Sequence, residues 1–463
     1  MAVTLPVDPE SESGRATPTL WAVAWPLLMS LTLTMSLHFV DAFFLAQISD
    51  QAAAAAGALF PVLGATVVVF VAVGQAGASV AGQLIGARRH DEVPTVYLAL
   101  VLFNFALGLV ASALFWLLHR KLPSLLGLHG AIHEQAATYL RIIGGFQFLK
   151  AVQVGYGNVL NSRGMTKWVM GEAALTNVVN VVLNIAFLHG ALGLPKLGVA
   201  GVAWATVISL GVGLLFTMMV VHGGLRVRFP WPPNRALFSN RLKRVLEIGL
   251  PSALEPISYQ GAQTLLNALI ASWGAAALAA RTYVFNFVLV SSILWSVAFG
   301  IATQVIVARR VGAEDFEGAR REMRRSLRFG ILGNLSIAAL LAIFHRPLLA
   351  TLTSDPNILA LASPLFVLGL LVEPARAVNI VAGGALRSSG DSRYVAIVGS
   401  SMMWCIGIPV CFLFGEWLGW GLTGIWLGLG IDELTRGIVN YRRWQTGRWQ
   451  EFRVSVRPKP QVP

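Results

Sequence analysis

Three acids sit where apolar sequence surrounds them: Asp41, Glu255 and Glu373. Asp41 lies in LWAVAWPLLMSLTLTMSLHFVDAFFLAQ (20–47), a stretch without Lys or Arg that also holds Pro26. Ser30, Thr34 and His38 follow at helical spacing on the side of Asp41. A carboxylate facing lipid costs several kcal/mol, so such an acid faces protein or water and marks an ion or substrate path. An acid near a helix end can instead reach the interface, and Asp41 lies about a turn and a half from the end of its run. Glu255 heads a stripe of Ser252, Glu255, Tyr259, Gln263 and Asn267 on one helix face. Counted at 1.5 Å per residue, Glu255 and Glu373 each fall roughly 20 Å from the start of their run, near mid-membrane. Pro256 and Pro374 follow them directly, and Pro within a span frees a carbonyl one turn back and permits a bend. Arg376 is spaced to pair with Glu373, so a helix-joining ion pair competes with an ion-binding role there.

Neutral polar groups accompany the acids. Asn177, Asn180 and Asn184 share one face, where amides either join helices or offer carbonyl oxygens to a cation. Lys150 stands in an apolar stretch with Gln147, Gln153 and Tyr156. Tyr283, Phe285, Phe287, Trp295, Phe299 and Trp404 add aromatic surface that packs or stacks on a flat cation. Glu172, Glu247, Arg281 and Asp432 lie nearer the ends of their runs and read as interfacial. No HExxH, GxSxG, Walker loop or Cys/His ligand spacing occurs, so an enzyme reading lacks a catalytic constellation and no cofactor is implied. Without an ATPase segment, uphill transport by such a chain draws on an ion gradient.

The elements that position these residues are membrane spans. The 463 residues are 56% hydrophobic and 12% charged, about half the charge of a soluble domain, with mean hydropathy +0.67. The net charge of +13 resides in short loops between apolar runs, which excludes a nucleic-acid reading and sets orientation instead. Runs of spanning length occur at about 18–46, 52–84, 94–118, 136–160, 168–189, 197–221, 242–271, 276–307, 328–345, 359–386, 394–415 and 419–438. Twelve helices are therefore expected, with alternate loops basic and both termini cytoplasmic. The 119–135 loop, with Arg120 and Lys121, departs from that pattern. Cys405 and Cys411 read as ordinary core residues.

The halves repeat each other. QLIGARR (83–89) matches QVIVARR (304–310), NVLNSRG (158–164) parallels GALRSSG (384–390), and LGVAG (197–201) parallels WGLTG (420–424). The expected organisation is a tail at 1–17, a first lobe at 18–225, a basic Pro-rich linker at 226–241, a second lobe at 242–440 and a tail at 441–463. An even number of spans per half makes the repeat parallel.

FVDAFFLAQISDQAAAAAGALF (39–60), QLIGARRHDE (83–92), NVVLN (180–184), LGVAGVAWATVIS (197–209) and GGALRSSGDSR (383–393) together resemble the multidrug and toxic compound extrusion (MATE) transporters of the MOP flippase superfamily. The resemblance implies an all-α membrane fold of two pseudo-symmetric six-helix lobes around a cleft. It implies export of cationic, amphipathic drugs from a bacterial inner membrane in exchange for Na⁺ or H⁺. Asp41 falls on the family's span-one acid and Asn180 on its span-five Asn. Asn184 stands where many members carry Asp, so the first lobe has one deep acid fewer. Glu255 and Glu373 fall in the second-lobe helices where relatives keep acids. The expected coupling residues are thus Asp41, Asn180, Asn184, Glu255 and Glu373, with Thr34 beside Asp41 and Na⁺ at Asp41/Asn180 or Glu255/Glu373. Tyr259, Gln263, Trp295 and Arg376 are the expected drug contacts. The partners are drugs and membrane lipid, with a monomeric chain. A flippase for lipid-linked sugars is the alternative, but it would want a cationic cavity for pyrophosphate. A major-facilitator carrier shares the span count, yet GARRHDE only dimly echoes its Asp-Arg-x-Gly-Arg-Arg loop.

Overall fold

A computed structural model describes residues 18–191 and 195–454. The expected tail at 1–17, and residues 455–463 of the tail at 441–463, lie outside the described residues. Twelve long helical segments follow one another: α1 Leu20–Ile48, α2 Asp50–Gly86, α3 Val93–Leu118, α4 130–162, α5 Thr166–His189 and α6 Val199–Gly224. The second series is α7 Arg235–Ser272, α8 Ala275–Gly312, α9 Phe316–Ala350, α10 Pro356–Ser389, α11 Ser392–Trp417 and α12 Gly421–Gln445. Every expected span has its helix. Among the described residues nine, all but α4, α7 and α12, hold a stretch long and apolar enough to cross a membrane. The other three carry their apolar run beside basic ends or polar stripes. Two helices start well before the apolar run does. α7 begins at Arg235, within the expected linker, and α9 begins at Phe316 instead of near 328. Both extensions are basic, and a helix can leave the apolar layer with its charged face in water.

Local chemistry sets the ends. Asp315 caps α9 by accepting from Gly318 N at 2.8 Å, and Asp355 caps α10 by accepting from Asn357 N at 2.8 Å ahead of Pro356. α10 stops at Gly390, whose φ of 105° a side chain would resist. α4 is interrupted between Gly130–Tyr139 and Gln147–Ser162 by a π-turn at Leu140–Gly144. There a Cβ on Gly144 would stand 2.6 Å from the Phe115 Cβ, so α3 approaches only because that position is glycine.

The chain forms two compact units. Among described residues the first takes 29–81 and 89–249. Its core gathers Leu45, Leu59, Phe70, Phe115, Leu140 and Val202, with α5 packed on α6 and α3 on the Gln147–Ser162 part of α4. The second takes 19–28, 82–88 and 250–454. Its core gathers Leu266, Ile270, Val284, Phe366, Ile425 and Trp426, with α10 packed on α8, α9 and α12. The matching QLIGARR and QVIVARR segments meet inside this second unit, where Gly82 lies against Ala308 and Gly86 against Arg309. Gln83 also donates to the Ser388 carbonyl at 2.6 Å and accepts from Val454 N at 2.7 Å. Each unit exposes rows of large apolar side chains, such as Val178 and Val182 on α5 and Leu340, Ile343 and Phe344 on α9. Such faces are stable against lipid tails and costly in water.

Candidate functional site

In the first unit the span-one acid is wholly enclosed. Asp41 is 2% exposed, and Asn180 and Asn184 have no exposed surface. Asn180 Nδ2 donates to Asp41 Oδ1 at 3.0 Å and Asn184 Nδ2 to the same oxygen at 3.2 Å. Asn184 Nδ2 also donates to Asn180 Oδ1 at 2.9 Å, which locks one amide to the next along α5. The other carboxylate oxygen accepts from Thr206 Oγ1, on α6, at 2.7 Å. Tyr139, itself buried, lies close enough to feel the charge of Asp41. Three neutral donors from two helices thus hold one carboxylate, and among the described residues no cationic side chain is bonded to it. Asn184 Oδ1 is buried beside it without a hydrogen-bond partner. An oxygen-rich nest with an unmatched acceptor suits a proton or a hard, oxygen-seeking cation such as Na⁺. The expected trio of Asp41, Asn180 and Asn184 therefore comes together. The expected hydroxyl does not: Thr34 donates within its own helix to the Ser30 carbonyl at 2.9 Å, and Thr206 takes that place. Asn177 acts as a helix fastener, donating to the Leu33 carbonyl of α1 at 2.9 Å.

Nearer the start of α5 the same unit holds a second polar chain. Lys150 Nζ donates to Gln153 Oε1 at 3.0 Å, and the Gln153 amide donates to Glu172. Thr176 Oγ1 donates to the same Glu172 carboxylate at 2.8 Å. Glu172 is buried, contrary to the interfacial reading, because Gly213 on α6 leaves room for it, Thr176 and Gln153 at one point. Glu172, Thr176, Asn180 and Asn184 recur every four residues along one face of α5, a pattern visible in the sequence.

The second unit treats its acids differently. Arg376 donates through Nε to Glu373 at 3.1 Å and through Nη1 to Glu433 at 3.0 Å. Asn379 Nδ2 donates to the other Glu433 oxygen at 2.9 Å, and Asn379 Oδ1 accepts from Asn440 Nδ2 at 3.0 Å. Arg436 meets Asp432 at 2.5 Å, Glu433 at 3.5 Å and Glu255 at 3.4 Å, and Arg387 meets Glu255 at 2.8 Å. Glu255 and Glu373, expected as a pair, do not touch. They are the two ends of a chain of alternating charge that runs Glu255, Arg436, Glu433, Arg376, Glu373. The α7 stripe is the counterpart of this cluster. Tyr259 lies against Arg376, while Gln263 and Asn267 accept from the buried Arg281. Tyr259, Gln263 and Arg376 are therefore internal partners in this arrangement. Trp295 sits elsewhere, against Trp21 and Phe299, with its Nε1 donating to the Phe329 carbonyl at 3.3 Å. Asp432, Glu433 and Arg436 are 2%, 5% and 3% exposed. Asp432, read as interfacial, is instead enclosed with Glu433 and Arg436 where α12 packs on α10. Their spacing with Asn440 was the available signal. Among the described residues no cluster of three His, Cys, Asp or Glu side chains could hold a metal.

Comparison with known proteins adds four findings. The MatE family model matches the chain twice, at residues 26–186 and 251–413, one match per half. The chain is 31% identical to "Uncharacterized transporter YisQ" of Bacillus subtilis over 93% of its length and 94% of that protein. It is 25% identical to "Probable multidrug resistance protein NorM" of Thermotoga maritima, with 97% of each chain covered. Among solved structures, a MOP superfamily transporter from Pyrococcus furiosus, described as having a binding pocket of reverse polarity, superposes with a TM-score of 0.83. That likeness covers 96% of each chain at 20% identity and establishes the fold: all-α, multi-pass and two-lobed.

Proposed function

The chain belongs to the MatE family of membrane transporters, and from that premise we propose that it is an antiporter exporting cationic, amphipathic drugs against inward Na⁺ or H⁺. It is a transporter and not an enzyme. The proposed setting is the bacterial plasma membrane, with a monomeric chain and both termini in the cytoplasm.

The observation that carries the reading is Asp41 held by neutral donors alone. A buried carboxylate without a cationic partner stays charged only through those hydrogen bonds, and losing them costs the full desolvation penalty. Taking up H⁺ or Na⁺ removes the net charge and with it the reason for that arrangement. The loaded and unloaded lobes therefore prefer different packings. A cationic drug bound to one packing and an ion bound to the other compete through the conformational equilibrium, which is the thermodynamic content of exchange.

The test is dye efflux from energised inverted vesicles with Na⁺ and pH gradients imposed separately. One gradient should drive uptake in the wild type and neither should do so in Asp41→Asn. Wild-type rates in Asp41→Asn would remove this acid from the mechanism. The flippase reading would need cationic side chains free for pyrophosphate. Here Arg376, Arg387 and Arg436 are each engaged by acids, which favours drug export.

A further inference from the structure

The first turns of α9 carry a charged face that the transport reading does not use. Arg321, Arg324, Arg325, Arg328, Phe329 and Leu332 line a surface groove of about 530 Å³. Their spacing of three, one, three, one and three residues puts all six on one side of the helix, over roughly 16 Å of its length. Of the nearby acids, Asp315 pairs with Arg310 at 2.5 Å, Glu317 with Arg320 at 3.0 Å and Glu314 with Arg453 at 3.3 Å, while Glu322, between Arg321 and Arg324 in the chain, keeps a buried carboxylate oxygen without a hydrogen-bond partner. Among the described residues no ion pair joins Arg321, Arg324, Arg325 or Arg328 to an acid.

The groove ends in apolar surface. Phe329 is 43% and Leu332 is 61% exposed, and beyond them Leu335, Leu340, Ile343 and Phe344 continue the exposed apolar side of α9. The same helix thus passes from an arginine face to a lipid-type face within one turn. Arg325 marks the crossing, with its guanidinium over the Phe329 ring at 5.9 Å from the centroid. Phe329 is in turn fixed by stacking on Phe299 and by the Trp295 bond to its carbonyl. Half-exposed Trp21 and Trp25 flank this aromatic group, and indoles favour the level of lipid headgroups.

We propose that this face of α9 binds the headgroup of an anionic phospholipid, in the leaflet that borders the α8–α9 turn. The four guanidiniums supply donors in the planar fork that matches phosphate oxygens. Phe329 and Leu332 meet the start of the acyl chains, which a free phosphate could not use. The site is independent of which ion drives transport. Its occupancy would pin the water-side end of α9, which packs on α10 and so on the charge network.

The test is native mass spectrometry of the full chain in neutral detergent, with phosphatidylglycerol and phosphatidylcholine of equal acyl composition. Phosphatidylglycerol should bind at least tenfold more tightly. Each arginine removed should cost about fivefold, from about 1 kcal/mol per basic residue near an anionic surface. Arg324→Gln/Arg328→Gln should accordingly lose most of the preference, and a charge-matched Arg235→Gln/Lys243→Gln should keep it. If the double variant does not fold, Arg324→Gln alone should show the fivefold loss. Equal binding of the two lipids, an unchanged preference in the arginine variants, or an equal loss in the control would overturn the proposal. So would displacement of the lipid by glycerol phosphate at equal concentration, which would mean a free-anion site.

Discussion

Asp41 and Glu373 are both buried carboxylates on proline-containing helices, yet their surroundings are opposite. Around Asp41, on α1, stand two amides and a hydroxyl. Around Glu373, on α10, stands Arg376, which also reaches Glu433. The first environment solvates a charge without cancelling it. The second pairs each acid with a guanidinium: Glu255, Glu373, Asp432 and Glu433 face Arg376, Arg387 and Arg436, four acids sharing three guanidiniums. Only the first can gain or lose a cation without first breaking an ion pair. The two units therefore surround their buried acids differently, and on the proposed function the first exchanges charge while the second holds it. That difference can be broken or sharpened by substitution.

The largest effect should come from Asp41→Asn, with ion-driven dye efflux falling at least a hundredfold while the purified protein keeps its far-ultraviolet helix signal. Glu433→Gln should act on the other side of the comparison. It removes the acid that links Arg376 to Arg436, and hydrogen bonds to charged groups are worth about 1.5–3 kcal/mol each, so thermal unfolding in detergent should come at a clearly lower temperature. An unchanged unfolding temperature would show that the second unit is not held by its charges. Thr206→Val removes one donor to a charged acceptor, worth about 1.5–3 kcal/mol, and so weakens the empty, charged state of the first site. Half-saturation by the coupling ion should then fall about tenfold, whereas Thr206→Ser should match the wild type. Asn184→Asp sets a second carboxylate beside Asp41 and should also tighten ion binding, since two acids sharing a site favour a bound cation or proton. Isothermal titration with Na⁺, and the same with H⁺ release, would read both variants. Trp295→Phe should be the smallest, with less than a twofold change in drug half-saturation. A tenfold change there would place Trp295 at the substrate after all.

Much of the first site was legible before any coordinates. An acid in an uncharged run, and amides four residues apart on another run, are costly in lipid and so must face each other or a cavity. Thr206 was not legible, because hydroxyls satisfy themselves on their own helix at little cost and carry no comparable signal. The second site was legible in composition but not in pairing. Depth counted along the apolar run at 419–438 places Asp432, Glu433 and Arg436 close to its end, whereas α12 continues to Gln445 and packs these mid-helix residues on α10.

The sequence by itself determined the class, the twelve helices, the duplication and the acids that must be hidden. Those follow from the cost of exposing polar groups to hydrocarbon, which acts residue by residue and is read along one dimension. Only the tertiary structure decided which partner each hidden acid received. Whether a carboxylate meets an amide or a guanidinium depends on contacts between helices far apart in the chain, such as Asp41 with Asn180 and Glu255 with Arg436. Local spacing offers a pair within one helix, as with Glu373 and Arg376, but no pattern encodes the partners between helices, because a buried charge is equally obliged to find an amide or a guanidinium.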